Sequence, residues 1–318
     1  MAQRIYIDGH AGTTGLRIRD WLAHRSDLEL ITLPEAERKS TEARRASIAS
    51  SDVAILCLPD DAAREAARWA AEAGTRVLDA STAHRVSEGW VYGLPELTTE
   101  QRAAIGRADR VSNPGCWPSI FLLLVRPLMD SNLLASSASL SLHGVSGYTG
   151  GGRSMIERWE DPASELPTLP FEAPYALDRV HKHIPEMLTY SGLKTPPQFL
   201  PAVGPFRCGM RVQIPLPAGS LREGHGPADV QSVLEARYGG ETFVRVHTQT
   251  ASKVPDESAL DPRCCNDTNR VELWVLPHPD GHCLLVGILD NLGKGAAGAA
   301  IQNLNLMLGL PEAEGLEA

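Results

Sequence analysis

A strand, a glycine turn and a helix open the chain, and this succession limits the possible folds more than any other feature of the sequence. Ile5, Tyr6 and Ile7 make a short apolar strand. Gly9-His10-Ala11-Gly12-Thr13-Thr14-Gly15 follows, and then a helical repeat with Leu16, Ile18, Trp21 and Leu22 directed inward. Glycines let a backbone approach a pyrophosphate closely, and the helix start offers it N–H donors. Gly9, Gly12, Thr13, Thr14 and Gly15 are therefore candidate dinucleotide-binding residues. The spacing is G-x-x-G-x-x-G rather than G-x-G-x-x-G, and glycine turns also join strands to helices where no ligand binds.

The same alternation continues. Residues 28–33 read as a second strand, followed by Pro34-Glu35, Arg38 and Lys39. Glu35 suits the ribose hydroxyls of NAD, Arg38 and Lys39 suit the 2′-phosphate of NADP, and a solvated helix start accounts for all three. Val53-Ala54-Ile55-Leu56-Cys57-Leu58 is a continuous apolar run, the pattern of a parallel strand buried on both faces. Cys57 inside it is expected to be inert. Pro59-Asp60-Asp61 is placed to cap an alanine-rich helix over 62–73, and 76–79 is a further strand. Strands alternating with helices predict an α/β fold, a Rossmann-type doubly wound parallel sheet.

Val111 leads into Ser112-Asn113-Pro114-Gly115-Cys116-Trp117-Pro118-Ser119. Pro114-Gly115 is a turn, Pro118 suits a first helical position, and an apolar run over 120–125 follows. Cys116 thus falls near a helix N-terminus, where unpaired N–H groups and the helix dipole favour a thiolate. It also falls on the strand-end edge where such sheets bind ligands. A nucleophile is one reading; a small buried hydrophobe is the other.

Beyond a helix over 119–134 the pattern changes. A strand over 139–145 leads into Ser146-Gly147-Tyr148-Thr149-Gly150-Gly151-Gly152-Arg153, read as a flexible loop that either wraps a small anion or merely links. Further strands are expected over 209–216, with Met210, Val212, Ile214 and Leu216 on one face, and over 243–247, 270–276 and 282–289. Few helices intervene, which predicts an α+β domain on a largely antiparallel sheet. His181 and His183 point the same way only if their segment is extended. No third and fourth ligand stands at a convincing spacing, so no metal site is expected. The pair reads either as a catalytic base beside Cys116 or as two exposed polar residues. After Asp290, Asn291 and Lys294 form a polar front placed to face a cofactor, and a helix through 308 is expected to return to the first domain.

Composition sets the remaining bounds. The 318 residues are 43% hydrophobic and 22% charged, an ordinary globular balance with room for two domains. These are placed at 1–118 with 290–318, and at 119–289. The net charge of -9 and the lack of a long basic run argue against a nucleic-acid partner, so an anionic substrate needs a local arginine cluster. Six cysteines without C-x-x-C spacing suggest neither a disulfide framework nor a zinc ribbon and suit a reducing cytosol. No signal peptide is expected, and no apolar run is long enough to span a membrane.

Several stretches together resemble the N-acetyl-γ-glutamyl-phosphate reductase family in its shorter type 2 form, within the aspartate-semialdehyde dehydrogenase-like superfamily. They include Asp8-Gly9-His10-Ala11-Gly12-Thr13-Thr14-Gly15, Asn113-Pro114-Gly115-Cys116-Trp117-Pro118, His181-Lys182-His183-Ile184-Pro185-Glu186 and Asp290-Asn291-Leu292-Gly293-Lys294-Gly295. The resemblance implies an NADPH-dependent acyl-phosphate reductase of arginine biosynthesis that makes N-acetylglutamate 5-semialdehyde and releases phosphate. It implies that Cys116 carries the acyl group and that the histidine pair supplies the acid/base, with His183 preferred to His181. Candidates to hold phosphate or carboxylate are Arg85, Arg153, Arg207 and Arg211, since arginine offers a bidentate fork, together with Ser146 and Gly147. A cytoplasmic homo-oligomer acting on a small acyl phosphate is expected. Ser119 stands where the family often has threonine, and 256–267, with Cys264-Cys265, matches no motif. An aspartate-semialdehyde dehydrogenase-type enzyme, a cofactor-free thiol hydrolase using Cys116 and His183, and a nucleotide-sensing regulator are the alternatives.

Overall fold

Period-two alternation in the early strands separates two apolar cores. In the computed structural model, which describes residues 2–248 and 255–318, Ile5, Ile7, Val53, Ile55, Leu78 and Val111 face one side of a sheet, with Ile18, Leu22, Ile301 and Leu304 packed in the same cluster. Tyr6, Ala54, Leu56 and Val77 face the other, with Ile48, Ala66, Trp69 and Ala70. The strands are β1 (Gln3–Asp8), β2 (Leu28–Ile31), β3 (Val53–Leu56), β4 (Arg76–Asp79), β5 (Val91–Tyr92) and β6 (Arg110–Ser112). Their order is β2-β1-β3-β4-β6-β5, and every pairing is parallel. Helices α1 (Thr13–Leu22), α2 (Thr41–Ala49), α3 (Asp60–Ala73) and α4 (Gln101–Arg107) connect them. This is the doubly wound sheet that the alternation predicts.

Two expectations for this region are corrected. Leu16 is exposed, because α1 buries Gly15, Ile18 and Leu22, and Leu16 lies about 200° around the helix from Ile18. Asp60 opens α3 but does not cap it. Its carboxylate accepts from the Thr82 amide at 3.0 Å and the Thr82 hydroxyl at 2.8 Å, tying down the loop after β4.

The chain forms two compact units, Met1–Pro114 with Ala296–Glu317, and Gly115–Gly295 with Ala318. The second contains α5 (Cys116–Asp130), β7 (Ser141–Gly147), α6 (Gly152–Glu160), β8 (Ala173–Pro174), α7 (Ile184–Ser191), β9 (Gln198–Gly204), β10 (Met210–Leu216), α8 (Pro227–Tyr238), β11 (Val244–His247), β12 (Val271–Pro277) and β13 (Cys283–Leu289). Its sheet runs β11-β12-β13-β10-β7-β9-β8. Four of its six pairings are antiparallel, while β11–β12 and β7–β9 are parallel, so the sheet is mixed. Met210, Val212, Ile214 and Leu216 are buried on one face of β10, as their spacing predicts. The last helix, α9 (Gly298–Leu308), belongs to the first unit.

Local geometry differs from expectation at two places and decides a third that the sequence left open. α5 begins at Cys116 and ends at Asp130, which puts Pro118 at the third helical position rather than the first. A missing N–H is harmless there, because the first four have no partner within the helix. Residues 146–153 are not a flexible loop: β7 runs to Gly147, a 3-10 turn spans Tyr148–Gly151, and α6 follows. The histidine segment is a turn leading into α7, not an extended strand. Among the described residues, no helix is long and apolar enough to cross a membrane.

Gly9 has φ +86°, and a Cβ there would lie 2.2 Å from the Cys57 carbonyl oxygen. Gly9→Ala should therefore cost about 2 kcal/mol or more of folding free energy, read from the urea midpoint. Gly12→Ala, at φ −80° with its nearest neighbour at 3.4 Å, should cost less, about 1 kcal/mol, the penalty of alanine at an N-cap.

Candidate active site

The glycine turn of the first unit makes a bare helix start. Gly12 is the N-cap of α1, its amide bonded to the Gly9 carbonyl at 3.0 Å. It gives the helix no side-chain cap, and no acidic residue stands in the first turn. Thr13 and Thr14 take the first two helical positions. An uncapped N-terminus without a carboxylate fits a pyrophosphate. The carboxylate just before it, Asp8, is buried and neutralised: Arg44 pairs with it at 3.0 Å, and the Tyr6 hydroxyl donates to it at 3.3 Å. Burial and then Asp8 push the Tyr6 pKa up, which keeps that hydroxyl a donor. Past β2, Arg38 pairs with Glu35 at 2.5 Å and Lys39 is exposed.

Arg85 also lies in this unit. It is buried, donating to the carbonyls of Asn113 at 2.9 Å and Ala80 at 3.3 Å, so it braces the segment before the Pro114-Gly115 turn. Cys57 lies just past β3. Burial, with Asp79 and Asp8 adding, pushes its thiol up to about 12, in keeping with an inert cysteine.

In the second unit two helix starts meet. Cys116 is the first residue of α5 and is part-exposed. The N-cap amide before it, at Gly115, donates to Glu186 Oε2 at 2.9 Å. Glu186 is in the first turn of α7, whose N-cap is His183. One buried hydrogen bond therefore ties the cysteine helix to the histidine helix. The Gly295 backbone packs against the same cysteine, for a Cβ there would stand 2.7 Å from Cys116 Cβ.

Aromatic residues wall this junction. Trp117 donates through Nε1 to the Tyr175 hydroxyl at 3.1 Å and meets Phe199 edge-on at 5.1 Å. His181 lies edge-on to Phe199 at 4.9 Å and to His183 at 4.8 Å, and 5.7 Å from Tyr175. Its Nδ1 accepts from the His183 amide at 3.2 Å. Burial, helped by Lys182, lowers the His181 pKa to about 4, so this imidazole is neutral near pH 7. Burial, and then charge on Cys116, push the Tyr175 pKa up. The histidine pair and Cys116 are thus gathered into one region of this unit.

The other candidates are placed differently. Asn291 is buried with both amide atoms engaged, Oδ1 by the Gly209 amide at 2.8 Å and Nδ2 by Thr149 Oγ1 at 2.9 Å. Lys294 is fully buried, its ammonium 5.7 Å from the centre of the Phe243 ring. Both side chains are turned to protein partners instead of forming an exposed polar front. Ser146 is buried, its hydroxyl on the Gly147 carbonyl at 3.2 Å, and the Gly147 amide donates to Gly209 at 2.8 Å. Arg153 pairs with Glu157 at 2.8 Å, and Arg207 pairs with Glu160; both arginines are exposed. Arg211 donates to the Leu260 carbonyl at 2.8 Å, and its Nε is buried without a hydrogen-bond partner among the described residues. Sequence reasoning gave no role to Glu186, Tyr175, Phe199 or Gly295. Pro185-Glu186 after the histidines was a visible signal for the first, and none existed for Tyr175 or Phe199.

A parallel dinucleotide-type sheet and, in the same chain, a mixed-sheet unit whose first helix begins at a cysteine fit the semialdehyde dehydrogenase class of oxidoreductases. Residues 32–105 match the semialdehyde dehydrogenase NAD binding domain, and residues 116–291 match the semialdehyde dehydrogenase dimerisation domain. Aspartate semialdehyde dehydrogenase II from Vibrio cholerae shares the fold, with TM-score 0.72 and 16% identity over 97% of this chain and 99% of that one. The Candida albicans aspartate semialdehyde dehydrogenase, solved with NADP, gives 0.64 at 16% identity over 97% and 99%. The chain is 47% identical to N-acetyl-gamma-glutamyl-phosphate reductase of Trichormus variabilis, over 98% of this chain and 99% of the relative. It is 46% identical to N-acetyl-gamma-glutamyl-phosphate reductase 2 of Pseudomonas putida, over 98% of each. The chain belongs to the N-acetyl-γ-glutamyl-phosphate reductase family.

The lowered His181 pKa has a consequence for stability. Its folded value of about 4 lies below the ordinary 6.5, so between these pH values the unfolded chain binds more protons. Stability should fall as pH drops through that window, by up to about 3 kcal/mol from this residue. Urea unfolding at pH 7 and pH 4.5 should show a smaller loss for His181→Gln than for the parent.

Proposed function

We propose that this protein reduces N-acetyl-γ-glutamyl phosphate to N-acetylglutamate 5-semialdehyde with NADPH, releasing phosphate, as a step of arginine biosynthesis. The observation that carries the reading is Cys116 at the first position of α5, tied through Gly115 and Glu186 to the histidine-bearing start of α7. The 47% identity to a reductase of that name supports this substrate over aspartate semialdehyde, whose dehydrogenases share only 16%.

The Cys116 thiolate attacks the acyl carbon, the carbon–oxygen bond to phosphate breaks, and phosphate leaves with the electron pair, forming a thioester. NAD(P)H, when bound, supplies the hydride that reduces it, and Gly9, Gly12, Thr13, Thr14 and Gly15 hold its pyrophosphate. N–H groups at the start of α5 stabilise the tetrahedral oxyanion. His183 protonates that oxygen and takes the proton back as the carbon–sulfur bond breaks, freeing the aldehyde and the thiolate. His181 is unsuited to that step, because a general acid must carry its proton near the working pH. His181 instead holds the His183 backbone through Nδ1. Arg38 favours NADPH by exchanging Glu35 for the 2′-phosphate. The dimerisation-domain match supports a homo-oligomer, and six cysteines outside disulfides among the described residues suit the cytoplasm.

Two measurements test this reading. Cys116→Ser should bind NADPH normally and lose phosphate-dependent oxidation of N-acetylglutamate semialdehyde by on the order of a thousandfold or more. Near-parent turnover, or preference for aspartate semialdehyde, would overturn it. Arg38→Ala should raise the KM for NADPH about tenfold while leaving that for NADH unchanged, a loss typical of one charge-assisted contact.

A further inference from the structure

The turn over 262–268 brings together two thiols that the proposed reaction does not use. The sulfurs of Cys264 and Cys265 lie 3.8 Å apart. Neighbouring side chains on a strand point to opposite faces, so adjacent sulfurs meet only where the backbone folds. Here it does: the Cys264 amide donates to the Asp261 carbonyl at 3.2 Å and the Asn266 amide to Arg263 at 3.0 Å. The Cys265 carbonyl accepts from the Thr268 hydroxyl at 2.7 Å, and Arg270 donates to the Cys264 carbonyl at 3.1 Å. Cys264 is exposed, whereas Cys265 is fully buried, its sulfur 3.7 Å from the Ile288 carbonyl.

We propose that Cys264-Cys265 is a reversible modification site, a vicinal dithiol that a low-molecular-weight disulfide closes to a vicinal disulfide. The exposed Cys264 thiolate attacks one sulfur of the incoming disulfide RSSR, and RS⁻ leaves as a mixed disulfide forms on Cys264. Cys265 then gives up its proton and attacks the Cys264 sulfur, and the second RS⁻ leaves. The protein pair loses two protons and two electrons, and RSSR becomes two RSH. The surroundings divide these roles. The Cys265 hydrogen bond, with nearby Arg270, lowers the Cys264 pKa, while that same bond and burial raise the Cys265 pKa. Since the second attack is internal, the buried sulfur needs no access from solvent. Adjacent Cα atoms lie about 3.8 Å apart, closer than the usual disulfide span of about 4.4–6.8 Å, so the closed ring is strained and readily reduced.

The same turn reaches the segment that supports Cys116, residues 290–295, which ends within the helical turn Gly293–Ala297. The Asp267 amide donates to Asp290 at 2.9 Å, and the Thr268 carbonyl packs so tightly on Gly293 that a Cβ there would stand 2.1 Å away. Two residues further on, Gly295 packs against Cys116. Closing the dithiol therefore pulls on the support of the nucleophile.

The test treats the full-length protein with excess glutathione disulfide, alkylates free thiols, and maps the peptide containing both residues. The expected peptide is lighter by two hydrogens, carries no glutathione, and regains two alkylatable thiols after dithiothreitol. Cys265→Ser should trap one glutathione on Cys264, and Cys264→Ser should leave Cys265 unmodified. A stable adduct on Cys264 in the parent, or two freely alkylated thiols, would overturn the site. This readout does not depend on which reaction is assigned to Cys116, so its failure and that of the proposed reaction are separable. Oxidised parent should lose severalfold more activity than similarly treated Cys264→Ser; equal losses would overturn the link to Cys116.

Discussion

One hydrogen bond, from the Gly115 amide to the Glu186 carboxylate, joins the two halves of the candidate chemistry. A helix start leaves its first N–H groups without intrahelical partners, and α5 has no side-chain cap of its own. A carboxylate from another helix answers that need and sits favourably at the positive end of the α5 dipole. Because Glu186 is one turn into α7, satisfying α5 also fixes where α7 begins, and so where His183 stands. Glu186 is almost fully buried, so this bond lies inside the protein at the junction of the two helices.

Elsewhere, too, buried carboxylates are partnered locally. Asp8 is matched by Arg44, and Asp79 by the Ser81 hydroxyl at 2.8 Å and by His84 Nδ1 at 2.6 Å. These pairs stand at the carboxyl ends of β1 and β4, the edge on which parallel sheets bind ligands. With Asp8 paired, the bare start of α1 keeps a positive character suited to a phosphate. The overall charge of -9 would not suggest an anion-binding surface; local pairing decides it.

How much of the site was legible depended on whether its cause was local. The glycine turn, the apolar strands and the position of Cys116 near a helix start are properties of short stretches, and they could be read directly. The helical form of residues 152–160 was missed, because glycines and hydroxyls describe a loop equally well until the stacking of Tyr148 on Trp159, at 5.5 Å, is known. Whether His181 and His183 point the same way, which needs an extended segment, was left open by the sequence for a related reason. Pro185 at the start of α7 makes the preceding residues an entry turn, and the two imidazoles meet edge-on instead of projecting in parallel.

Sequence alone determined the strand–helix alternation, the glycine turn and the placement of a cysteine at a helix N-terminus, because turn chemistry and hydrophobic period act over a few residues. Only the tertiary structure decided which residues surround that cysteine. β7 pairs with β9 and with β10, and β8 pairs with β9, and these registers carry Phe199 and Tyr175 to Trp117 across long stretches of chain. It also decided that Asn291 and Lys294 turn inward and that Arg85 braces a backbone segment, since burial follows from packing and not from residue type. A side chain's neighbours are set by which surfaces bury each other, and that is a property of the folded chain.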